Sequence, residues 1–273
     1  MPNIAQTLTQ LQAQGLDRLD AQLLLLHVLN QPAHHRAWLL AHDTDDMSPQ
    51  ALQGLDALTK RRLQGEPVAY LTGHKEFYGI ELRVDKRVLV PRPDTETLVD
   101  WALDVLKPVT NASVIDLGTG SGAIALALKA TRPDLRLSAL DFSEDALTVA
   151  RANAERLKLE VKFQQSAWLS SVQGHFNAIV SNPPYIAAQD EHLAALVHEP
   201  LQALASGADG LDDLRQIIQT APAHLLSGGW LLLEHGYDQA SWVRALLAES
   251  GFTEVQSRRD LSGIERCSGG RWR

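Results

Sequence analysis

Residues 182–185 read Asn-Pro-Pro-Tyr and directly follow the apolar run Ala178-Ile179-Val180-Ser181. The prolines Pro183 and Pro184 fix φ and remove two N–H donors. They also bias Asn182 and Pro183 toward extended backbone. The result is a rigid ledge that presents the Asn182 carboxamide and backbone carbonyls. Such acceptors suit the hydrogens of a planar –NH₂ group, and Tyr185 adds an aromatic wall. If the apolar run is a strand of an open parallel sheet, the ledge lies beyond its carboxyl end, where ligands bind in such sheets.

A second segment has the chemistry of a cofactor site. Val114-Ile115-Asp116-Leu117 leads into Gly118-Thr119-Gly120-Ser121-Gly122 and then the apolar stretch Ala123–Ala130. Glycines allow a sharp turn and close approach of a ligand to the main chain, and the following helix N-terminus adds unpaired N–H donors. The spacing is G-x-G-x-G rather than the G-x-G-x-x-G of dinucleotide sites. Asp141 follows 23 positions after Gly118, at the end of the next apolar segment. An acid placed there can accept from both hydroxyls of a ribose. Loop and acid together indicate a nucleoside-containing cofactor. They do not separate S-adenosylmethionine from NAD.

The elements that must position these residues are legible from periodicity. Candidate strands are Ser113–Leu117, Leu135–Asp141, Val161–Gln165, Ala178–Ser181 and Trp230–Glu234, with helices beginning near Asp94, Ser121, Ser143, Asp209 and Gln239. Such alternation predicts a mostly parallel α/β sheet with helices on both faces. Thr253–Arg258 and Ile264–Cys267 have no helix between them and are expected to add an antiparallel hairpin. Before residue 75 the pattern is helical. Leu16, Leu19, Leu23, Leu26 and Leu29 suggest one apolar face, a short helix is expected around Arg36–His42, and Ser48-Pro49 opens a helix to about Leu63. Ile80, Leu82 and Val84 alternate with polar residues, and Asp85-Lys86-Arg87 reads as a turn into Val88-Leu89-Val90. The expected domains are 1–75, helical; 76–93, a β-hairpin linker; and 94–273, the cofactor-binding domain.

Composition narrows the class. The 273 residues suggest roughly two domains at about 150 residues each. Apolar residues form 45% and charged residues 21%, so the chain builds ordinary packed cores. A net charge of −8 argues against holding nucleic acid chiefly by phosphate neutralisation. One cysteine, Cys267, cannot make an internal disulfide. No apolar run approaches the roughly 18 residues of a membrane span, and a cytoplasmic location is expected. The ten histidines show no H-E-x-x-H or paired Cys/His spacing, so no metal is expected.

The segments Asp116–Gly122, Asp141 and Asn182–Tyr185 resemble those of class I S-adenosylmethionine-dependent methyltransferases that modify planar amino groups. That resemblance implies a Rossmann-like, seven-stranded sheet. Further segments narrow it: Pro67–Gly73, Glu76–Gly79, Val90–Glu96, Leu231–Gly236 and Arg259–Arg266. With these, nearly the whole chain is similar to the bacterial release-factor glutamine N5-methyltransferase family. The resemblance implies methyl transfer from S-adenosyl-L-methionine to the side-chain nitrogen of the glutamine in the Gly-Gly-Gln motif of class I peptide chain release factors. It implies that Gly118, Thr119, Gly120, Ser121 and Gly122 contact the methionine part of the cofactor, Asp141 the ribose and Trp168 the adenine region. Asn182 and the Pro183 carbonyl would hold the substrate amide near the cofactor, with Pro184 and Tyr185 beside it. Many family members carry an acid just before the aromatic residue, where this chain has Ala167.

Catalytic roles are therefore expected for Asn182, Pro183 and Tyr185. The partner is expected to be the release factor, with no direct nucleic-acid contact, no membrane and a monomeric state. The first alternative is a nucleic-acid adenine N6-methyltransferase, which shares the tetrapeptide. An NAD-dependent dehydrogenase and a non-enzymatic nucleotide-binding module explain the Pro-Pro ledge less well. Residues 1 to about 75 carry no cofactor motif, and a second surface that docks the release factor is the expected role.

Overall fold

The computed structural model describes residues 1–273. The chain divides into two compact units, Met1–His74 and Lys75–Arg273. The first unit is helical: α1 (Ile4–Ala13), α2 (Arg18–Val28), α3 (Arg36–Ala41), α4 (Pro49–Leu63) and α5 (Val68–Thr72). Asn3 and Gln6 close a reciprocal capping box at α1. The Ser48 side chain accepts from Ala51 N at α4, with Pro49 just inside the helix, as its sequence predicts. The buried face of α2 is Ala21, Leu24 and Leu25, joined by Leu26, whereas Leu19 is 49% exposed. The expected stripe through Leu19 and Leu23 is thus out of phase. Four consecutive leucines, Leu23–Leu26, leave the helical phase undetermined by hydrophobicity alone. The helices α1 and α5 lie outside the predicted set.

A hairpin opens the second unit. Strands β1 (His74–Phe77) and β2 (Ile80–Arg83) flank Tyr78-Gly79. The predicted turn at Asp85-Lys86-Arg87 is not the hairpin turn, and Val88–Val90 is not a strand. Tyr78 and Gly79 have φ of 49° and 76°, as a two-residue loop requires to match strand twist. Tyr78 is held there by its backbone N–H on Glu96 Oε1 (3.0 Å) and its hydroxyl on Asp100 Oδ1 (2.6 Å). The strap after β2 is instead fixed by side chains and prolines. Asp85 Oδ1 accepts from Arg87 N, and Glu199 Oε2 accepts from Val90 N.

The main sheet follows. After α6 (Glu96–Leu106) come β3 (Ser113–Leu117), α7 (Ala123–Thr131), β4 (Arg136–Asp141), α8 (Glu144–Leu157), β5 (Lys162–Gln165) and β6 (Phe176–Ser181). The chain continues through α9 (Asp212–Thr220), β7 (Leu225–Glu234), α10 (Ala240–Glu249), β8 (Thr253–Arg259) and β9 (Glu265–Arg271). The seven strands lie in the order β5-β4-β3-β6-β7-β9-β8. All pairs are parallel except β7–β9 and β8–β9, so the expected terminal hairpin closes a mostly parallel sheet. Ile115, Leu117, Ile179, Leu231 and Leu233 share one buried cluster with Leu214 and Ile217 of α9 and Val243 and Leu247 of α10. By strand alternation Val114, Val180 and Leu232 face the other way, toward α6, α7 and α8. Burial on both faces explains why these strands read as continuous apolar runs.

Chain order reverses between β3 and β6, which makes that crevice the ligand position of an open parallel sheet. Leu117 is in register with Leu140 on one side and Ser181 on the other. Gly118, Asp141 and Asn182, each the residue after one of these three register positions, are therefore neighbours along one sheet edge. Ser181 Oγ donates to Leu117 O at 2.7 Å and ties two of the ends together. No helix is long and apolar enough to cross a membrane.

Candidate active site

The glycine turn folds back on itself through its own polar residues. Gly118, Gly120 and Gly122 have φ of 69°, 55° and 86°, a region that side chains other than glycine rarely occupy. Thr119 N donates to Leu140 O at 2.8 Å, and Thr119 Oγ1 donates to Asp116 Oδ2 at 2.6 Å. Asp116 Oδ2 also accepts from Ala125 N at 3.3 Å and so anchors the start of α7. Asp116 Oδ1 is buried without a partner, and burial pushes its carboxyl up to about 7. Asn153 of α8 ties the loop to the hairpin. Its Nδ2 donates to Ser121 O and Arg83 O, both at 3.0 Å, and its Oδ1 accepts from Arg83 N at 2.8 Å.

Asp141 both lines a pocket and braces the turn. Its Oδ2 accepts from Gly120 N and its Oδ1 from Ser143 N, each at 2.9 Å. The acid braces the glycine turn against the end of β4. Burial raises its pKa, and the Ser143 and Gly120 N–H groups oppose that rise. Ser143 caps α8 by accepting from Ala146 N.

A pocket of about 290 Å³ opens between these segments. Gly118, Gly120, Asp141, Trp168, Asn182 and Pro184 all line it. Glycine loop, acid and ledge thus meet as the sequence expects. Phe142 also lines the pocket while 69% exposed, and supplies an apolar face next to the acid. Trp168 stands at φ 50° with its ring against Gly118: a Cβ on that glycine would meet Trp168 Cζ3 at 3.3 Å. The Trp168 indole N–H donates to Asp213 Oδ1 at 3.0 Å. Ala167 leaves no carboxylate beside the ring, but Asp213 of α9 brings one to the same pocket. Thr119, Ser121, Gly122, Pro183 and Tyr185 are not among the lining residues, so of the expected catalytic set only Asn182 lines the pocket. Thr119 and Ser121 are buried supports, and at Gly122 a Cβ would press within 2.9 Å of Leu126.

This arrangement fits a nucleoside-containing ligand. Each carboxylate oxygen accepts one backbone N–H and has a further lone pair for a ribose hydroxyl. A Cβ at Gly120 would meet nothing within 4 Å, so the turn leaves space there. Phe142 and Trp168 offer apolar surfaces for a flat base.

Behind the ledge lies a polar cluster that no spacing in the sequence announces. Asn182 Nδ2 donates to Thr95 Oγ1 at 3.2 Å. Tyr185 OH donates to Glu234 Oε1 at 3.3 Å. Thr95 is 4% and Glu234 1% exposed. Burial pushes the Glu234 carboxyl up to about 7, opposed by Thr95, Arg266 and Tyr185. Glu234 Oε2 is buried with no hydrogen-bond partner. Burial and then the Glu234 charge raise the Tyr185 phenol well above its ordinary value. Glu199 pairs with Arg92 and holds Val90, while Arg87, Val88 and Leu89 wall the pocket. The sequence signal for Glu234 was an acid ending the apolar run Leu231–Leu233. Arg87, Val88, Leu89, Glu199 and Asp213 lie in segments whose spacing carries no such signal.

Comparisons with known proteins identify the family. The Methyltransferase small domain model matches residues 96–236, and the PrmC N-terminal domain model matches residues 4–73. The chain is 49% identical over 260 residues to the release factor glutamine methyltransferase of Bordetella pertussis, covering 94% of this chain and 95% of that protein. It is 44% identical to the protein of the same name from Coxiella burnetii, covering 97% and 94% of the two chains. A methyltransferase structure from Pyrococcus furiosus superposes with a TM-score of 0.55 at 19% identity, over 79% of this chain and 98% of that one, which speaks to the fold alone. Identity of this level over nearly the full length, helical unit included, leaves one assignment. The chain belongs to the release factor glutamine methyltransferase family.

Proposed function

We infer that this protein transfers a methyl group from S-adenosyl-L-methionine to the side-chain amide nitrogen of the glutamine in the Gly-Gly-Gln motif of class I release factors. The observation that carries the reading is the Asn182 carboxamide, set on a Pro-Pro ledge at the switch-point edge of the sheet and lining the same pocket as Gly118 and Asp141. Bound S-adenosylmethionine supplies an electrophilic sulfonium methyl with a neutral thioether as leaving group. An amide nitrogen is a poor nucleophile, because its lone pair is delocalised into the carbonyl. The ledge compensates by position: Asn182 Oδ1 and the Pro183 carbonyl each accept one hydrogen of the substrate –NH₂ and fix the plane of the amide. The same two acceptors stabilise the positive charge that develops on nitrogen during attack. Tyr185 packs beside the amide. The extra proton leaves the nitrogen after transfer, so no strong base is required first.

Asp141 holds the ribose, and Phe142 and Trp168 flank the base. The unit Met1–His74 contributes a docking surface for the folded release factor, since a free glutamine would need none. The test is incubation with methyl-labelled S-adenosylmethionine and, separately, release factor, DNA and RNA. Label on the release factor supports this reading. Label on nucleic acid alone would favour an adenine N6-methyltransferase instead.

A further inference from the structure

Two acids line the pocket, and only Asp213 keeps an oxygen unengaged. Asp141 accepts a backbone N–H with each of its oxygens. Asp213 stands half-buried in the first turn of α9, where a helix N-terminus favours negative charge. Its backbone N–H donates at 2.9 Å to Ser206 Oγ, a residue only 2% exposed, so that turn is anchored. Its Oδ1 accepts the Trp168 indole N–H at 3.0 Å. An indole nitrogen only donates, so this bond fixes the carboxylate against the ring. Oδ2 has no partner within the protein. No basic side chain pairs with the charge either, since Arg87, the cation that lines the pocket, is engaged by Asp85. A carboxylate placed in this way calls for a donor from a ligand.

We propose that Asp213 selects the base of the cofactor by accepting the adenine 6-amino group at Oδ2, which makes it a specificity-determining residue. This rests on the function proposed above, and deepens it by naming the group that reads the base. On an adenine the 6-amino group is the donor, and the ring nitrogens are acceptors. A carboxylate therefore favours that one edge and repels the others. Trp168 flanks the base in the reading above, and its N–H holds Asp213 at the rim of the same ring. The remaining donors of the cofactor belong elsewhere: the ribose hydroxyls at Asp141, and the methionine part at the glycine turn. One carboxylate thus fixes the ring beside the base and reads the base itself. Neither Asp213 nor its link to Trp168 leaves a mark in the sequence, because 45 positions separate the two.

The test uses the full chain and two compounds that differ at that edge, S-adenosyl-L-homocysteine and S-inosyl-L-homocysteine. The inosyl base carries a 6-oxo acceptor in place of the 6-amino donor, and a proton on N1. Calorimetry of the unaltered protein is expected to show the inosyl compound bound about tenfold or more weakly, because a site built to accept an N–H rejects an analogue without it. Asp213→Asn is the deciding variant. Its carboxamide oxygen must stay on the Trp168 N–H, so an NH₂ group takes the place of Oδ2 and a donor replaces the acceptor. The adenosyl compound should then lose about tenfold or more in affinity while the inosyl compound gains, so that the preference collapses or inverts. An equal loss for both compounds would overturn the assignment and leave Asp213 as a support for Trp168 or a contact for the α-ammonium. A preference of the unaltered protein for the inosyl compound would also overturn it, by placing the carboxylate at N1. Binding of neither compound would bring down the cofactor reading and this proposal together. Should Asp213→Asn fail to fold, NMR of the unaltered protein with S-adenosyl-L-homocysteine decides. A nuclear Overhauser contact between the Trp168 indole proton and the 6-amino protons is expected, since both donate to one carboxylate, and its absence would refute the assignment.

Discussion

At the scale of residues, the acids of this site differ in what they do. Asp141 accepts two backbone N–H groups before any ligand arrives. An alanine there would remove both braces and confuse ligand affinity with loop order. Asp141→Asn keeps one acceptor oxygen and removes the charge. Its affinity for S-adenosylmethionine should drop by about 1.5–3 kcal/mol, the worth of a charge-assisted hydrogen bond, as read by calorimetry. Unchanged affinity would reject the ribose role. Glu234 makes a pH prediction. Its folded-state value is pushed from 4.5 to about 7, chiefly by burial. A raised acid contributes stability that is complete below the unfolded value and lost as pH rises through the folded one. At about 1.4 kcal/mol per unit, the loss across that window is roughly 3 kcal/mol. Urea unfolding from about pH 4.5 to about pH 7.5 should therefore show a shallower decline in Glu234→Gln than in the wild type, and equal slopes would contradict the burial account. Gly118, Asp141 and Asn182 were legible because strand ends, glycine spacing and prolines leave local marks. Thr95 and Asp213 were not, and Glu234 left only its place at the end of an apolar run. They become neighbours of the site only through long-range pairing, which no local pattern encodes.

At the scale of elements, burial on both faces marks β3, β4, β6 and β7 as apolar runs, whereas the polar, largely exposed edge strand β5 was legible only from its place in the alternation of strand and helix. The hairpin was misplaced for an equally physical reason. Tyr78-Gly79 is an unusual two-residue turn, since Tyr78 takes positive φ only with help from Glu96 and Asp100 on α6. Asp85-Lys86-Arg87 has ordinary turn composition but opens a strap, not a second strand. The ledge also depends on an element beyond its motif. Gly210, at φ 76°, lies so close to it that a Cβ there would meet Tyr185 O at 2.2 Å and Gln239 Nε2 at 2.8 Å. Gln239 Nε2 donates to that same carbonyl at 3.0 Å. Gly210→Ala must therefore shift the backbone at Tyr185. A stability loss of more than about 1 kcal/mol and a lower kcat are expected, measured by thermal unfolding and turnover. Wild-type values for both would show that this packing does not hold the ledge.

At the scale of the whole molecule, the boundary falls at His74 and Lys75, within β1, rather than after a separate linker. The hairpin and strap belong with the cofactor pocket: Asn153 pins β2, and Arg87, Val88 and Leu89 line the cavity. A catalytic fragment must consequently begin near Lys75, since one starting at Pro91 would lack a wall of its pocket. The fragment 75–273, verified as folded by circular dichroism, should bind S-adenosylmethionine with near-normal affinity and show a greatly raised KM for intact release factor. Efficient methylation by that fragment would remove the docking role from the helical unit. The central claim concerns one nitrogen atom. Its most direct measurement is mass spectrometric mapping of release factor treated with the full chain and S-adenosylmethionine. The account predicts a single added methyl on the side chain of the Gly-Gly-Gln glutamine, absent with Asn182→Ala. A methyl group elsewhere, or an unchanged yield with that variant, would contradict it.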